Sequence, residues 1–170
     1  MLSLDLVWDD LPKRSDTKPQ SPQAPSLPIL SAAQSRTLLD ALKQGKERVE
    51  VSLDLGISIS QILLSPQGIV LPDGQQLDWE AIWQMSAAET VCYRIERNTP
   101  QPIRTIGQRS NLTLSLMPTS SAPTLLIGGF PMHRIKEIDP WEDTRRKLKA
   151  AGGADGAVLD TATGLGYTAI

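Results

Sequence analysis

The residues best suited to chemistry lie near the carboxyl end of the sequence, where Val158-Leu159-Asp160 runs into Thr161-Ala162-Thr163-Gly164-Leu165-Gly166. An apolar strand that ends in a carboxylate and turns through two glycines suits ligand binding. Glycine lets the main chain approach a ligand closely and take dihedrals that a side chain disfavours. Amides at the opening of a following helix are left free to donate hydrogen bonds. A carboxylate at the carboxyl end of a buried strand sits where open α/β sheets bind ligands. Its charge suits a cationic amino group, directly or through water, better than a pyrophosphate. A phosphate loop needs Gly-Lys-Ser/Thr at its end, and the dinucleotide fingerprint needs three glycines spaced G-x-G-x-x-G. This loop has neither. The remaining pattern is D-x-A-x-G-x-G, carried by Asp160, Ala162, Gly164 and Gly166. By itself such a Gly-x-Gly also suits an ordinary strand-to-helix turn.

His133 is the one imidazole of the chain, set between Met132 and Arg134 after Gly128-Gly129. Its ordinary pKa makes it the candidate catalytic residue, a general base beside the ligand pocket; the structural alternative is a hydrogen-bonded residue between domains. Arg134 suits an anionic group or plain solvent. Asp139 reads as a helix cap, and Asp143 as solvated helix surface. The cations Arg145, Arg146, Lys147 and Lys149 read as a solvated helix face. Trp79 and Trp83 are read as core anchors, and Cys92, alternating in a strand, as inert. Asn111-Leu112-Thr113 matches a glycosylation sequon, which has no meaning without a secretory signal.

The elements that must position these groups are legible from pattern. Residues 11–28 hold Pro12, Pro19, Pro22, Pro25 and Pro28 among polar neighbours, an extended linker that builds neither ladder nor helix. Ahead of it Leu2, Leu4, Leu6, Val7 and Trp8 form a short amphipathic scrap, either an edge strand or a sticky tail. Ser31, with Gln34 in the capping-box position, opens a helix through Leu38 and Leu42 that Gly45 closes. Val49, Val51, Leu53 and Leu55 then alternate with polar residues, the pattern of a half-buried strand. Turns at Ser65-Pro66-Gln67-Gly68 and Pro72-Asp73-Gly74 separate further strands. Asp78 caps a short helix presenting Trp79, Ile82 and Trp83. Three more runs follow, around Tyr93, Leu114 and Leu126. Asp139, Pro140 and Glu142 then start a helix whose last turns are basic.

Seventeen basic and nineteen acidic residues leave a net charge of −2, which argues against nucleic acid as a partner. A single cysteine and a single histidine leave no donor set for a disulfide framework or a multi-cysteine metal site. No apolar run approaches the length needed to cross a bilayer, and the start of the chain lacks a signal-peptide core, so the reading is a cytoplasmic protein.

The D-x-A-x-G-x-G phrase after Val158-Leu159 resembles motif I of class I S-adenosylmethionine-dependent methyltransferases, with Ala162 where that family generally has its first glycine. The likeness extends through Met132-His133-Arg134, Asp139-Pro140, Asp143-Thr144, Lys147 and Gly164-Leu165-Gly166-Tyr167-Thr168-Ala169-Ile170. Over most of the chain from about residue 49 it is similar to a prokaryotic group of methyltransferases in the spermidine-synthase-like branch. The resemblance implies S-adenosylmethionine as cofactor, bound through Asp160, Ala162, Gly164 and Gly166, and leaves the methyl acceptor unnamed. Together with the pattern of elements, which leaves the Pro-rich start outside the likeness, it gives an expected α+β chain. Residues 1–30 form a Pro-rich flexible tail, and residues 31–131 a β-rich domain with flanking helices. Residues 132–170 hold the first helix and strand of a Rossmann-like cofactor-binding domain. Two other readings stay open: a β domain that works alone in interaction or homodimerisation, and an aminopropyltransferase.

A complete site of this type needs a further strand ending in an acidic residue about 20 positions beyond the glycines, to hold the ribose. Only Tyr167, Thr168, Ala169 and Ile170 follow Gly166. The expectation is therefore an amino-terminal methyltransferase fragment, inactive as the isolated chain. Isothermal calorimetry of the chain with S-adenosylmethionine should show no micromolar affinity; micromolar binding would overturn the expectation.

Overall fold

The computed structural model describes residues 27–152 and 164–168. The first element, β1 (Ile29–Ser31), leads directly into α1 (Ala32–Lys43). The Gln34 side chain accepts the Ser31 backbone N–H at 3.1 Å and the Ser31 hydroxyl at 2.5 Å, tying back the first turn. At the other end Lys46 N–H donates to Ala41 O at 3.0 Å and Gly45 N–H to Leu42 O at 2.9 Å. With Gly45 at φ +67° this is a Schellman ending, as the glycine's position predicts.

Next come β2 (Arg48–Val51), β3 (Ser60–Ser65), β4 (Gly68–Val70) and β5 (Gln76–Asp78), an antiparallel meander in sequence order. The alternation expected to carry a strand to Leu55 stops at Val51, and Asp54 is the reason. Its carboxylate accepts from Ile57 N–H at 3.0 Å, Ser58 N–H at 2.8 Å and the Ser52 hydroxyl at 2.8 Å, curling the chain into a loop. Burial alone would raise the Asp54 pKa; hydrogen bonds from Ser58, Ser52 and Ile57 outweigh that and hold it below its ordinary value.

Asp78 then caps α2 (Trp79–Ala87), accepting Ala81 N–H at 2.8 Å. It is followed by β6 (Cys92–Glu96) and β7 (Thr99–Pro102), which join β1 in a second antiparallel sheet ordered β1-β6-β7. Their turn holds Arg97 at φ +52° and Asn98 at φ +62°, the two left-handed residues of a type I′ hairpin made without glycine. Asn98 is held there from the neighbouring sheet. Its Oδ1 accepts Gln76 N–H at 2.9 Å, and its own N–H donates to Gln75 Oε1 at 3.0 Å.

The third antiparallel sheet contains β8 (Arg104–Ile106), β9 (Thr113–Met117), β10 (Thr124–Ile127) and β11 (Phe130–Pro131), ordered β11-β10-β9-β8. Its register places Thr105, Leu114, Ile127 and Phe130 in one row across the sheet, and Leu116 with Leu125 in the next row on the same side. Last comes α3 (Pro140–Ala150), with Asp139 Oδ1 accepting Trp141 N–H at 2.9 Å and Glu142 N–H at 3.1 Å. The described chain is thus mixed α+β, with every strand pairing antiparallel. The strand read at Val158-Leu159-Asp160 lies outside the described residues, as do residues 1–26.

A single core joins the first two sheets to α1 and α2, which pack against each other. Leu30, Leu38, Ile62, Ile82 and Ile95 are fully buried at its centre. Strand pairing begins at Ile29, two residues inside the segment read as tail. Trp83, read as a core anchor, is instead 61% exposed, because α2 turns Ile82 and Met85 inward. Trp79 is half-buried, with its indole N–H on Ser65 O at 2.9 Å. No helix among the described residues is long and apolar enough to cross a membrane.

Gly68 marks the tightest backbone approach in this fold. A Cβ there would lie 2.0 Å from Leu77 O, whereas a Cβ on Gly45 would meet open space. Gly68→Ala should therefore cost about 2 kcal/mol or more, and Gly45→Ala about 1 kcal/mol from its positive φ alone. Urea unfolding of the two variants checks this order; equal midpoints would contradict it.

Candidate functional site

The described part of the glycine loop, residues 164–168, packs against the third sheet and the start of α3. Gly164 sits at φ +56° and Gly166 at φ +82°, so both glycines occupy the left-handed region that side chains disfavour. Tyr167 anchors the loop. Its hydroxyl donates to Pro123 O at 2.6 Å. Its ring centroid lies 5.1 Å from that of His133 in a tilted arrangement, and 6.2 Å from that of Trp141 edge-on. Burial pushes the Tyr167 phenol up to about 12, so it remains a protonated donor.

His133 is positioned from the sheet side. Fully buried Thr124 at the start of β10 places its Oγ1 3.0 Å from His133 Nδ1 and accepts the His133 backbone N–H at 3.3 Å. Nδ1 is thereby occupied, and Nε2 is the nitrogen left for chemistry. Burial lowers the His133 pKa, the Lys147 cation lowers it further, and the Asp143 carboxylate opposes both. The ring is accordingly neutral at neutral pH and able to accept a proton.

Asp143, read as solvated helix surface, is instead buried, and its carboxylate meets Lys147 Nζ at 2.6 Å one turn along α3. The amphipathic turn of α3 explains this: Pro140, Asp143 and Thr144 face inward, while Arg145 and Arg146 face solvent and pair with Glu142. Asp139 is the cap it was expected to be. The Ser121 hydroxyl, donating to it at 2.6 Å, is the main cause of its lowered pKa.

Two cavities flank Tyr167. One, of about 420 Å³, lies between His133, Thr144, Lys147, Gly164 and Tyr167. The other, of about 560 Å³, is walled mainly by apolar groups, including Leu55, Ile57, Trp141, Leu165 and Tyr167. Of the residues singled out from sequence, the fold brings His133 and Gly164 to the same cavity, with Gly166 next to Tyr167. Asp160 and Ala162 lie outside the described residues. Arg134 is exposed. Cys92 is fully buried, and burial raises its thiol to about 12, as suits an inert residue. Sequence reasoning missed Thr124, Lys147 and Tyr167 as neighbours of the imidazole. Only the i, i+4 spacing of Asp143 and Lys147 advertised a pair. Among the described residues no three of His, Cys, Asp and Glu converge as a metal site would require.

No family model matches the chain. It is similar to an uncharacterized protein of Methanocaldococcus jannaschii, 54% identical over 56 residues, which cover 32% of this chain and 19% of the relative. The matched segment is thus about a fifth of that protein's length.

The charges around His133 make a signed prediction. Removing the cation in Lys147→Met should raise the His133 pKa, and removing the carboxylate in Asp143→Asn should lower it, as read from ring chemical shifts during an NMR titration. Because the folded pKa lies below the ordinary 6.5, the unfolded chain binds more protons in the interval between the two values. His133 thus contributes stability that is present above that ordinary value and is lost as pH falls through the folded pKa. Shifts of the same sign in both variants would contradict the arrangement.

Proposed function

We propose that this chain carries the cofactor loop of a class I S-adenosylmethionine-dependent methyltransferase of the spermidine-synthase-like branch. In this reading residues 132–170 open a Rossmann-like unit, and the three antiparallel sheets precede it. The observation that carries it is the pair of left-handed glycines, Gly164 and Gly166, in a loop that Tyr167 anchors beside a neutral imidazole. The residues present fit such a group. The loop's glycines offer no Cβ to obstruct it, Gly164 borders a cavity of about 420 Å³, and Asp160 supplies a carboxylate for a cationic amino group.

In this assignment Asp160, Ala162, Gly164 and Gly166 hold S-adenosylmethionine, which when bound supplies an electrophilic methyl group for transfer to a nucleophile. Thr124 fixes the His133 ring through Nδ1, and burial with Lys147 keeps it neutral. With Nδ1–H donating to Thr124 Oγ1, His133 Nε2 is the unprotonated nitrogen and accepts the proton that an acceptor O–H or N–H loses as it becomes nucleophilic. Tyr167 and Trp141 line the apolar cavity on the other side of Tyr167.

The reading is tested on the ¹⁵N-labelled chain with millimolar S-adenosylmethionine. The amides of Gly164, Leu165, Gly166 and Tyr167 should shift while those of β2 and β3 do not, and Asp160→Asn or Gly164→Val should abolish the shifts. An unperturbed loop at millimolar cofactor would remove the proposal.

A further inference from the structure

The second cavity beside Tyr167, of about 560 Å³, takes no part in the chemistry proposed for His133. Its size falls inside the range of roughly 300–1,000 Å³ found for small-molecule sites. Separate stretches of chain wall it: the loop between β2 and β3, the loop between β9 and β10, the start of α3, and the glycine loop. The lining is of three kinds. Leu55, Ile57, Pro123 and Leu165 are apolar. Trp141 and Tyr167 are aromatic rings set almost perpendicular, at 82°, with centroids 6.2 Å apart. Asp54 supplies the charge, and no Lys or Arg lines the walls.

Asp54 is only 8% exposed, and among the described residues no Lys or Arg pairs with it. Burial opposes its ionisation, yet its hydrogen bonds prevail and keep it charged. Oδ1 accepts from the Ser52 hydroxyl and from the Ile57 and Ser58 amides, and Oδ2 accepts the Ser58 hydroxyl. The negative charge therefore persists, while most of the carboxylate's capacity to accept further hydrogen bonds is used. That combination discriminates between cations. A primary ammonium brings three N–H donors, each costly to leave unpaired among apolar walls. A quaternary ammonium brings the same charge with no donor at all. Its methyl groups suit Leu55, Pro123 and Leu165, and aromatic faces attract such a cation within about 6 Å of the ring centroid.

We propose that this cavity is a binding site for a small quaternary ammonium compound, held against the Trp141 and Tyr167 rings with Asp54 as its counter-charge. An anion is disfavoured further by Asp139, a second carboxylate bonded to the hydroxyl of Ser121 in the lining. Ile57 is 75% exposed, so solvent reaches the loop wall and a ligand can enter there. The site lies across Tyr167 from the cavity beside His133 and does not depend on the cofactor reading.

The experiment titrates the ¹⁵N-labelled full chain with choline. Parallel titrations use its uncharged carbon isostere, 3,3-dimethylbutan-1-ol, and its primary-ammonium counterpart, ethanolamine. Choline should shift the Trp141 indole N–H and the amides of Leu55, Ile57 and Ala122, leaving those of Met132, Thr144 and Lys147 at the other cavity in place. Its affinity should exceed that of either comparator by about tenfold. Trp141→Leu should lose about that factor, and Trp141→Phe, which keeps a ring, should retain most of the affinity. The amides of α1 and α2 report whether each variant is folded, and the comparison of the three ligands needs no variant. Equal affinity for choline and its isostere would overturn the proposal, because the cavity then takes apolar bulk alone. Ethanolamine binding as tightly as choline would overturn it as well, as would no shift at these residues with tens of millimolar choline. Affinity left unchanged in a folded Trp141→Leu chain would do the same.

Discussion

Strand β1 is the joint on which the described structure depends. It is three residues long, and each makes a different connection. Ile29 N–H donates to Leu53 O at 2.8 Å, reaching the loop between β2 and β3 of the four-stranded meander, while Ile95 N–H donates to Pro28 O at 2.7 Å from the neighbouring strand β6. Leu30 is fully buried among the residues of both sheets and both core helices, and Ser31 is at once the end of β1 and the cap of α1. Small antiparallel sheets need an apolar face buried against a partner to be stable in water. Here they become stable by sharing one core, and β1 is what brings them to share it.

The candidate site depends on a different joint, the phenol of Tyr167. A loop with two left-handed glycines has few conformational restraints of its own. One short hydrogen bond to Pro123 O, together with ring contacts to His133 and Trp141, holds the loop against the third sheet and α3. The same sheet supplies Thr124, and α3 supplies the Asp143–Lys147 pair. Imidazole, glycines and charged pair come from three separate stretches of chain. Their meeting is therefore a property of how the third sheet and α3 pack, and it is the feature that gives the methyltransferase reading its physical content. The third sheet thus positions the imidazole through Thr124.

Local rules were read correctly where short-range chemistry decides the outcome. The cap at Ser31 with Gln34, the Gly45 ending, the Ser65–Gly68 turn, the Asp78 cap and the Asp139-Pro140 start all need only neighbours within a few residues, and all stand where the pattern placed them. The readings failed where a side chain outcompeted the backbone pattern or where a distant group intervened. The run from Val49 lost its last residues to Asp54, whose hydrogen bonds within the loop outweigh the strand ladder. The Arg97-Asn98 hairpin gave no glycine signal, because Gln75 and Gln76 from another sheet hold Asn98 in place. Trp83 looked like a core residue by type, and only the orientation of α2 sends it outward.

What the sequence determined by itself is therefore the inventory of elements, an α+β chain of short strands and three capped helices, and the left-handed demand of a Gly-x-Gly loop. Those follow from caps, turns and periodicity, which are short-range. Only the tertiary structure decided which strands share a sheet, that the third sheet stays out of the core, and that Asp143 is buried against Lys147 near His133. Those outcomes turn on contacts between residues far apart in the chain. The side chains that tune the imidazole, Thr124 and Lys147, are chemically ordinary until the fold sets them beside it.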